Sequence, residues 1–167
     1  PTIVNMSWGY SLPIGNDFTI LTSVDYRGTT YNSGNDPRWQ ESITYMTETY
    51  GIHSYLGSDG NYHVPIRDTA IDTDIQEMID AGIHVVIAAG NSSFKADIST
   101  GVDYDNEVGT GGPPLYYHRG SSPYNDNAIY VGSIDSNTHG GGLEQISSFS
   151  VRGPAVDIYA PGSNIRS

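Results

Sequence analysis

The sequence has no cysteine and very little positive charge. Its 167 residues include seven Lys and Arg against 19 Asp and Glu, which gives a formal net charge of −12, and Lys95 is its one lysine. We therefore expect no nucleic-acid partner and no binding to an anionic membrane. No apolar run approaches the roughly 20 residues of a membrane-spanning helix, so no membrane span is expected. Without cysteine, the redox compartment is undetermined.

The length is that of a single domain, and neither internal repeats nor a low-complexity linker divides residues 1–167. The 20 glycines and 13 tyrosines indicate long loops with ordered structure rather than a disordered chain. Because the sequence begins at Pro1 and a strand pattern follows at once, we expect it to be an internal piece of a longer chain.

One stretch combines a buried strand with a polar residue at its end. Ile83–Ile87 is β-branched except for His84 and has glycines on both sides, which predicts a strand of a parallel sheet. The small residues Ala88–Gly90 bring the backbone to the surface, and Asn91 follows at the edge where such sheets bind ligands. An amide there can donate hydrogen bonds to a developing oxyanion. A plain strand-end turn explains the same residues, and both interpretations stay open here.

Patterns on both sides of this strand predict more of the sheet. Thr2–Ser7 is a short β-type segment, and strands are also predicted at Ala128–Ile134 and Val156–Tyr159, the last ended by residues 160–162. An amphipathic helix is predicted by apolar residues at i, i+4, i+7 and i+8: Ile71, Ile75, Met78 and Ile79. Asp68 or Asp72 can cap its start, and Gly82 ends it. The order strand, helix, strand predicts a right-handed crossover.

The long segment Tyr10–Pro65 is rich in Gly, Asn, Asp, Ser, Thr and Tyr. A structureless loop of that length is unusual inside a domain, so we expect internal structure. Pro37–Tyr50 has the apolar spacing and the flanking residues of a helix that ends at Gly51. Asp59-Gly60 predicts a tight turn, which suggests a hairpin between residues 52–56 and 62–64.

A second loop-like segment, residues 93–119, contains a group of acidic residues. Its members are Asp97, Asp103, Asp105 and Glu107. Calcium binding is possible because hard cations require several carboxylates, but the spacing is not that of an EF-hand. A solvated acidic loop is the favoured interpretation.

Several separated stretches, in this order, resemble the strand ends and turns of the subtilisin-like serine proteases (subtilases). These stretches are Asn5–Gly9 (Asn-Met-Ser-Trp-Gly), Ala88–Asn91 (Ala-Ala-Gly-Asn), Tyr130–Asp135, Ser148–Pro154 and Val156–Gly162. The resemblance implies an α/β fold with three layers, in which helices flank a mostly parallel sheet. Residues 1–167 then form a partial domain of this kind, with residues 10–65 as an insertion.

The resemblance also assigns roles to individual residues. Asn91 corresponds to the asparagine that forms part of the oxyanion hole. The residues implied to bind substrate are Ser7, Trp8, Gly9, Ala88, Ala89 and Gly90. Of these, the first three match a strand edge that pairs with the substrate backbone, and the others match a wall of the specificity pocket. Trp8 replaces a smaller apolar residue, and either narrows the groove or caps the core.

The departures from the family pattern concern the catalytic triad. The family mechanism requires Asp, His and Ser in that order, and none of the three motifs occurs in residues 1–167. His84 lies in a predicted strand, and the other histidines lie in loops without the family's neighbouring residues: His53, His63, His118 and His139. We therefore expect the triad in flanking segments and predict that the isolated chain is inactive.

Two functions remain open on these grounds. One is a portion of a serine endopeptidase that acts on a peptide or protein substrate and is secreted or extracellular. The other is a non-catalytic scaffold or peptide-binding module in a larger assembly, such as a virion or a cell-surface structure. In both cases Ile3–Ser7 would leave a sheet edge uncovered, so we expect the rest of the polypeptide or a partner chain to cover it. The far wall of the specificity pocket is expected in residues 93–119.

Overall fold

The computed structural model describes residues 1–53, 55–135 and 144–163. The helices in these residues are α1 (Ile43–Tyr50) and α2 (Thr69–Asp80). The strands are β1 (Thr2–Met6), β2 (Ser11–Pro13), β3 (Ser23–Tyr26), β4 (Thr29–Tyr31), β5 (Tyr55–Leu56), β6 (Tyr62–Pro65), β7 (Ile83–Ala88), β8 (Glu107–Gly109), β9 (Leu115–Tyr116), β10 (Ile129–Asp135), β11 (Gln145–Ile146) and β12 (Ile158–Ser163). The predicted α/β class is confirmed. Among these residues, neither helix is long and apolar enough to cross a membrane.

The central sheet is mostly parallel, as predicted. Its strand order is β1-β7-β10-β11, and β12 also pairs with β10. All of its pairings are parallel except that between β10 and β11. Ile87 of β7 is opposite Met6 of β1 on one side and Tyr130 of β10 on the other, so the three carboxyl ends point the same way.

Helix α2 covers one face of this sheet and is the predicted crossover helix. Asp68 is its N-cap: the Asp68 carboxylate accepts a hydrogen bond from the Ala70 N–H at 2.9 Å. Ile75 is buried against Val85 and Ile87 in one core cluster. After the helix, Gly82 takes a positive φ of 80°, which lets the chain reverse into β7. The other face of the sheet is exposed in the described residues.

The two chain segments expected to be loop-rich contain antiparallel sheets. One sheet has the order β2-β6-β5, and the other has the order β4-β3-β8-β9. The hairpin predicted around Asp59-Gly60 is confirmed as β5–β6, with a shorter first strand and a second strand that is one residue longer than predicted. The β3–β4 hairpin has a two-residue turn, Arg27-Gly28, in which both residues have positive φ. Because β8 and β9 lie within residues 93–119, the prediction that this segment is a loop was wrong in part.

Two predicted boundaries were also wrong. Helix α1 begins after Ser42, which caps the Tyr45 N–H, and not at Pro37, because Gln40 has a left-handed backbone with φ of 57°. Strand β12 was expected to stop at residues 160–162 but continues to Ser163. A proline without an N–H is tolerated there because Pro161 lies on a strand that pairs only with β10 in the described part of the chain.

Candidate active site

The ends of β1 and β7 lie side by side and form a cleft. Since Met6 is paired with Ile87, the residues that follow each strand emerge together at the same edge of the sheet. A cavity of ≈ 220 Å³ lies at this edge. Its lining includes all of the residues to which the sequence assigned a site role: Ser7, Trp8, Gly9, Ala88, Ala89, Gly90 and Asn91.

Hydrogen bonds to neighbouring segments fix the backbone that follows β7. The Ala89 N–H donates to the Val131 carbonyl at 2.8 Å, and the Gly90 carbonyl accepts from the Val151 N–H at 3.2 Å. Gly90 has a φ of 108°, a region that side-chain-bearing residues rarely adopt. The Ser93 N–H then donates to the Phe149 carbonyl at 2.8 Å. Asn91 is therefore carried by a fixed segment of backbone.

The Asn91 side chain is exposed and lies at the junction of two cavities. It lines both the cavity of ≈ 220 Å³ and a neighbouring one of ≈ 390 Å³. Within the part of the chain that the structure describes, no hydrogen bond engages its amide. Two N–H donors on a fixed backbone are therefore available to an acceptor in the cleft.

The opposite wall is the segment that follows β1. A Cβ on Gly9 would lie 2.8 Å from the Ser121 Oγ, so a side chain at this position would require the Ser121 hydroxyl to move. Trp8 is half exposed and lines the cavity instead of capping the core. The Tyr10 N–H donates to the Ser122 carbonyl at 2.9 Å and anchors the end of this segment.

A further wall comes from residues 10–65, and the sequence did not predict this contribution. Its contributors are Tyr10, Ser11, Tyr55, His63 and Pro65. The far wall was expected in residues 93–119; of these, Phe94 lines the cavity, and Gly120 and Ser121 lie just beyond them. The signal that could have indicated this wall is the predicted hairpin. Its second strand carries His63, four residues after Asp59 in the turn.

This histidine connects two polar side chains. His63 Nε2 lies 3.1 Å from Asp59 Oδ1, and His63 Nδ1 lies 3.2 Å from Ser11 Oγ. Hydrogen bonds from Asn61, with a further one from His63, lower the pKa of Asp59 to about 2. His63 was expected in a loop but lies on β6, where it is paired with Pro13 of β2 and reaches Ser11 diagonally across the β2–β6 ladder. His139 lies outside the described residues.

The acidic group considered for calcium is arranged differently from either expectation. Asp97 and Asp103 are buried, so the prediction of a solvated loop was wrong for both. Lys95 Nζ lies 2.9 Å from the Asp97 carboxylate and 2.7 Å from that of Asp103, which Arg27 also contacts at 2.6 Å. The hydrogen bond from Arg27 holds the pKa of Asp103 well below its usual range. In the described residues, no three His, Asp or Glu side chains are placed to hold a metal ion.

Comparisons with known proteins identify the family of this chain. A family model described as the subtilase family matches residues 1–167. A protein of the fungus Arthrobotrys oligospora named "Cuticle-degrading serine protease" is 32% identical over 101 residues, which is 60% of this chain and 18% of that protein. The chain thus matches less than a fifth of the relative's length. The match over its full length shows that this chain belongs to the subtilase family.

Proposed function

We propose that this chain is the part of a subtilisin-like serine endopeptidase domain that binds substrate and supplies the oxyanion-hole amide. The observation that carries the proposal is the exposed, unpaired amide of Asn91 beside the cavity at the ends of β1 and β7. The relative in Arthrobotrys oligospora is named as a serine protease, which supports the same chemistry. The triad Asp, His and Ser would come from flanking segments of the polypeptide.

In this mechanism, the serine attacks the scissile carbonyl while the histidine takes its proton and later returns it to the leaving amine. Asn91 donates a hydrogen bond to the negative oxygen that develops on the tetrahedral intermediate. The exposed segment Ser7–Gly9 pairs with the extended substrate backbone, and Ala88–Gly90 leaves space for the side chain that precedes the scissile bond.

The domain also needs a cover for the outer face of its sheet. Ile3, Ile129 and Ile158 are 67%, 47% and 53% exposed, and the strand register places them on the face opposite to α2. The remainder of the polypeptide, or a partner chain, would bury this face. Because the relative is named for degrading cuticle, we also propose a secreted or extracellular location. A virion- or surface-associated location is the alternative.

The main test uses the full-length polypeptide that contains this chain. Asn91→Ala should lower kcat roughly 10²–10³-fold with a small change in KM; this magnitude is borrowed from subtilisin itself, where removal of one oxyanion-hole donor has that effect. Asn127→Ala is the matched control, because Asn127 is exposed and does not line either cavity at the strand ends. An unchanged kcat for Asn91→Ala would overturn the oxyanion role.

A second test separates the enzyme from the scaffold. The full-length polypeptide should be labelled stoichiometrically by a fluorophosphonate, whereas residues 1–167 alone should not be. Labelling of the isolated chain would contradict its predicted inactivity. A full-length polypeptide that is not labelled but still binds extended peptides would favour the non-catalytic peptide-binding module.

A further inference from the structure

The inserted segment brings a chain of hydrogen bonds to the wall of the cleft. Ser11 and His63 line the same cavity as Ala88–Asn91, and Asp59 holds the histidine from behind. The His63 side chain is 17% exposed, so one edge of the ring is shielded while the residue still borders the cavity. These three residues belong to the small sheet β2-β6-β5 and to its hairpin turn.

The charge of Asp59 fixes the direction of these hydrogen bonds when the His63 ring is neutral. Asp59 keeps its charge at neutral pH because hydrogen bonds from Asn61 lower its pKa. A carboxylate only accepts, so the proton of a neutral His63 ring is on Nε2, which leaves Nδ1 as an acceptor. The Ser11 hydroxyl must then donate its hydrogen to Nδ1 at 3.2 Å. Its oxygen is left with lone pairs, so it presents an acceptor to whatever enters the cavity.

The surrounding surface is suited to an aromatic ring. Trp8, Tyr55 and Phe94 line the cavity together with Ser11 and His63. Its volume of ≈ 220 Å³ is several times the roughly 30 Å³ that one water molecule occupies in the liquid. These aromatic side chains can pack against a substrate ring, and the oriented Ser11 oxygen fits a hydrogen-bond donor carried by that ring.

We propose that Ser11, oriented by His63 and Asp59, makes this pocket select tyrosine over phenylalanine as the substrate side chain before the scissile bond. The proposal rests on the proposed function, because it assumes that Ala88–Gly90 and Ser11 border the same substrate subsite. Ser11 contacts the substrate, whereas His63 and Asp59 are positioning residues. The inserted segment is thereby assigned a role in specificity.

The test measures binding of two acetylated tetrapeptide amides that differ only in a final tyrosine or phenylalanine. The full-length polypeptide that contains this chain is titrated with each peptide, and calorimetry reports binding. We expect the tyrosine peptide to bind about 3- to 10-fold more tightly, which is the range for one added hydrogen bond. In Ser11→Ala this preference should disappear while the phenylalanine peptide binds unchanged.

Three further variants complete the design. His63→Leu should also abolish the preference, because Ser11 is then free to rotate. Asp59→Asn should reduce it, and Ser58→Ala, an exposed serine of the same hairpin that does not line the cavity, should leave it intact. Circular dichroism confirms that each variant is folded.

The outcomes are distinguishable. If both peptides bind but Ser11→Ala keeps the preference, the role of Ser11 is wrong and the substrate cleft stands. If neither peptide binds to the unmodified full-length polypeptide, the substrate-binding role itself is overturned, together with this inference. A covalent fluorophosphonate adduct located on Ser11 by mass spectrometry would also overturn the proposal, because it would show a nucleophile rather than a fixed acceptor.

Discussion

Residues 10–65, which the sequence predicts to be an insertion and which are called the insertion below, differ from the central sheet in how completely their apolar residues are buried. The insertion packs with residues 93–119 around side chains that have no exposed surface: Ile14, Val24, Met46, Ile52, Val64, Val108 and Tyr117. The sheet buries one face against α2 and leaves isoleucines on the other face about half exposed or more. The insertion and residues 93–119 thus close a core together, whereas the sheet is closed on one side.

This difference separates two roles within one chain. The central sheet carries the residues shared with the subtilase family and would be completed by other parts of the polypeptide. The insertion shares a buried core with residues 93–119, which its hairpins and α1 surround. This closed unit can hold Ser11 and His63 against the cleft without a cover over the outer face of the sheet. We therefore expect the stability of residues 1–167 to depend mainly on the insertion.

The largest expected effect is the loss of a side chain from the centre of the insertion. Met46→Ala removes a fully buried side chain of α1 and should lower the free energy of unfolding by about 4 kcal/mol, within the usual range for such cavities. Urea unfolding of the isolated chain, followed by circular dichroism, measures the change. Ile3→Ala, on the exposed sheet face, is the control and should change the free energy by less than about 0.5 kcal/mol. Equal losses in both variants would contradict the comparison.

The second effect concerns the ionic contacts that join the insertion to residues 93–119. Asp103 accepts from Arg27 of the β3–β4 hairpin and from Lys95, and its side chain is buried. Asp103→Asn removes the charge and should cost about 2.5 kcal/mol, since Arg27 loses its ionic partner and Lys95, whose side chain is 35% exposed, keeps only Asp97. Asp105→Asn is the control, because the Asp105 side chain is 80% exposed.

The pH dependence gives an independent check on Asp103. A carboxyl whose pKa is depressed in the folded state contributes stability above its unfolded pKa of about 4, and this contribution is lost as the pH falls. The wild-type chain should therefore lose stability below about pH 4. Asp103→Asn should show a shallower decline over the same range, and an unchanged slope would contradict the role of this carboxylate.

The sequence predicted the central sheet better than the insertion, for a physical reason. Ile83–Ile87 and the helix with Ile75 have strong periodicity, and their partners follow from the crossover rule. The strand ends then placed Asn91 beside Ser7–Gly9, which the register of β1 and β7 reproduces. The oxyanion and substrate-binding roles of these residues remain predictions.

The insertion was harder because its contacts are non-local. Strand β3 pairs with β8, more than eighty residues later, and no local pattern specifies that partner. The short β3–β4 hairpin turns at Arg27-Gly28, which is not the usual Asn-Gly or Asp-Gly signal. The burial of Asp97 and Asp103 depends on cations from two different segments, so composition alone suggested a solvated or calcium-binding loop.

A smaller effect on stability should come from His118, which is buried between the insertion and the rest of residues 93–119. Burial lowers the pKa of His118 to about 4, and Asn106 Nδ2 donates to its Nδ1 at 3.0 Å, an arrangement that requires the neutral ring. Because the unfolded histidine has a pKa of about 6.5 and binds a proton first, stability falls as the pH drops through this range. We expect a loss of about 2 kcal/mol between pH 8 and pH 5.

Denaturant titrations at several pH values measure this loss. His118→Gln keeps an acceptor for Asn106 but cannot be protonated, so its stability should change less between pH 8 and pH 5. Burial also lowers the pKa of His53, and this residue accounts for the part of the dependence that the variant retains. A variant with the same pH dependence as the wild type would show that His118 does not contribute.

The smallest effect on stability, but the clearest on association, is expected at the outer face of the sheet. Ile3→Lys and Ile158→Lys place charges on the exposed face and should change the free energy of unfolding by no more than about 0.5 kcal/mol. If this face is the part that lacks its cover, the isolated wild-type chain should self-associate, and lysine there should oppose the association, as it does on natural sheet edges. Sedimentation velocity over a range of concentrations measures the self-association.

Val102→Lys, on an exposed residue outside the sheet, is the control and should leave the association unchanged. A wild-type chain that stays monomeric and unfolds reversibly in two states would show that the half-covered sheet needs no partner, and the contrast with the insertion would then be one of burial alone.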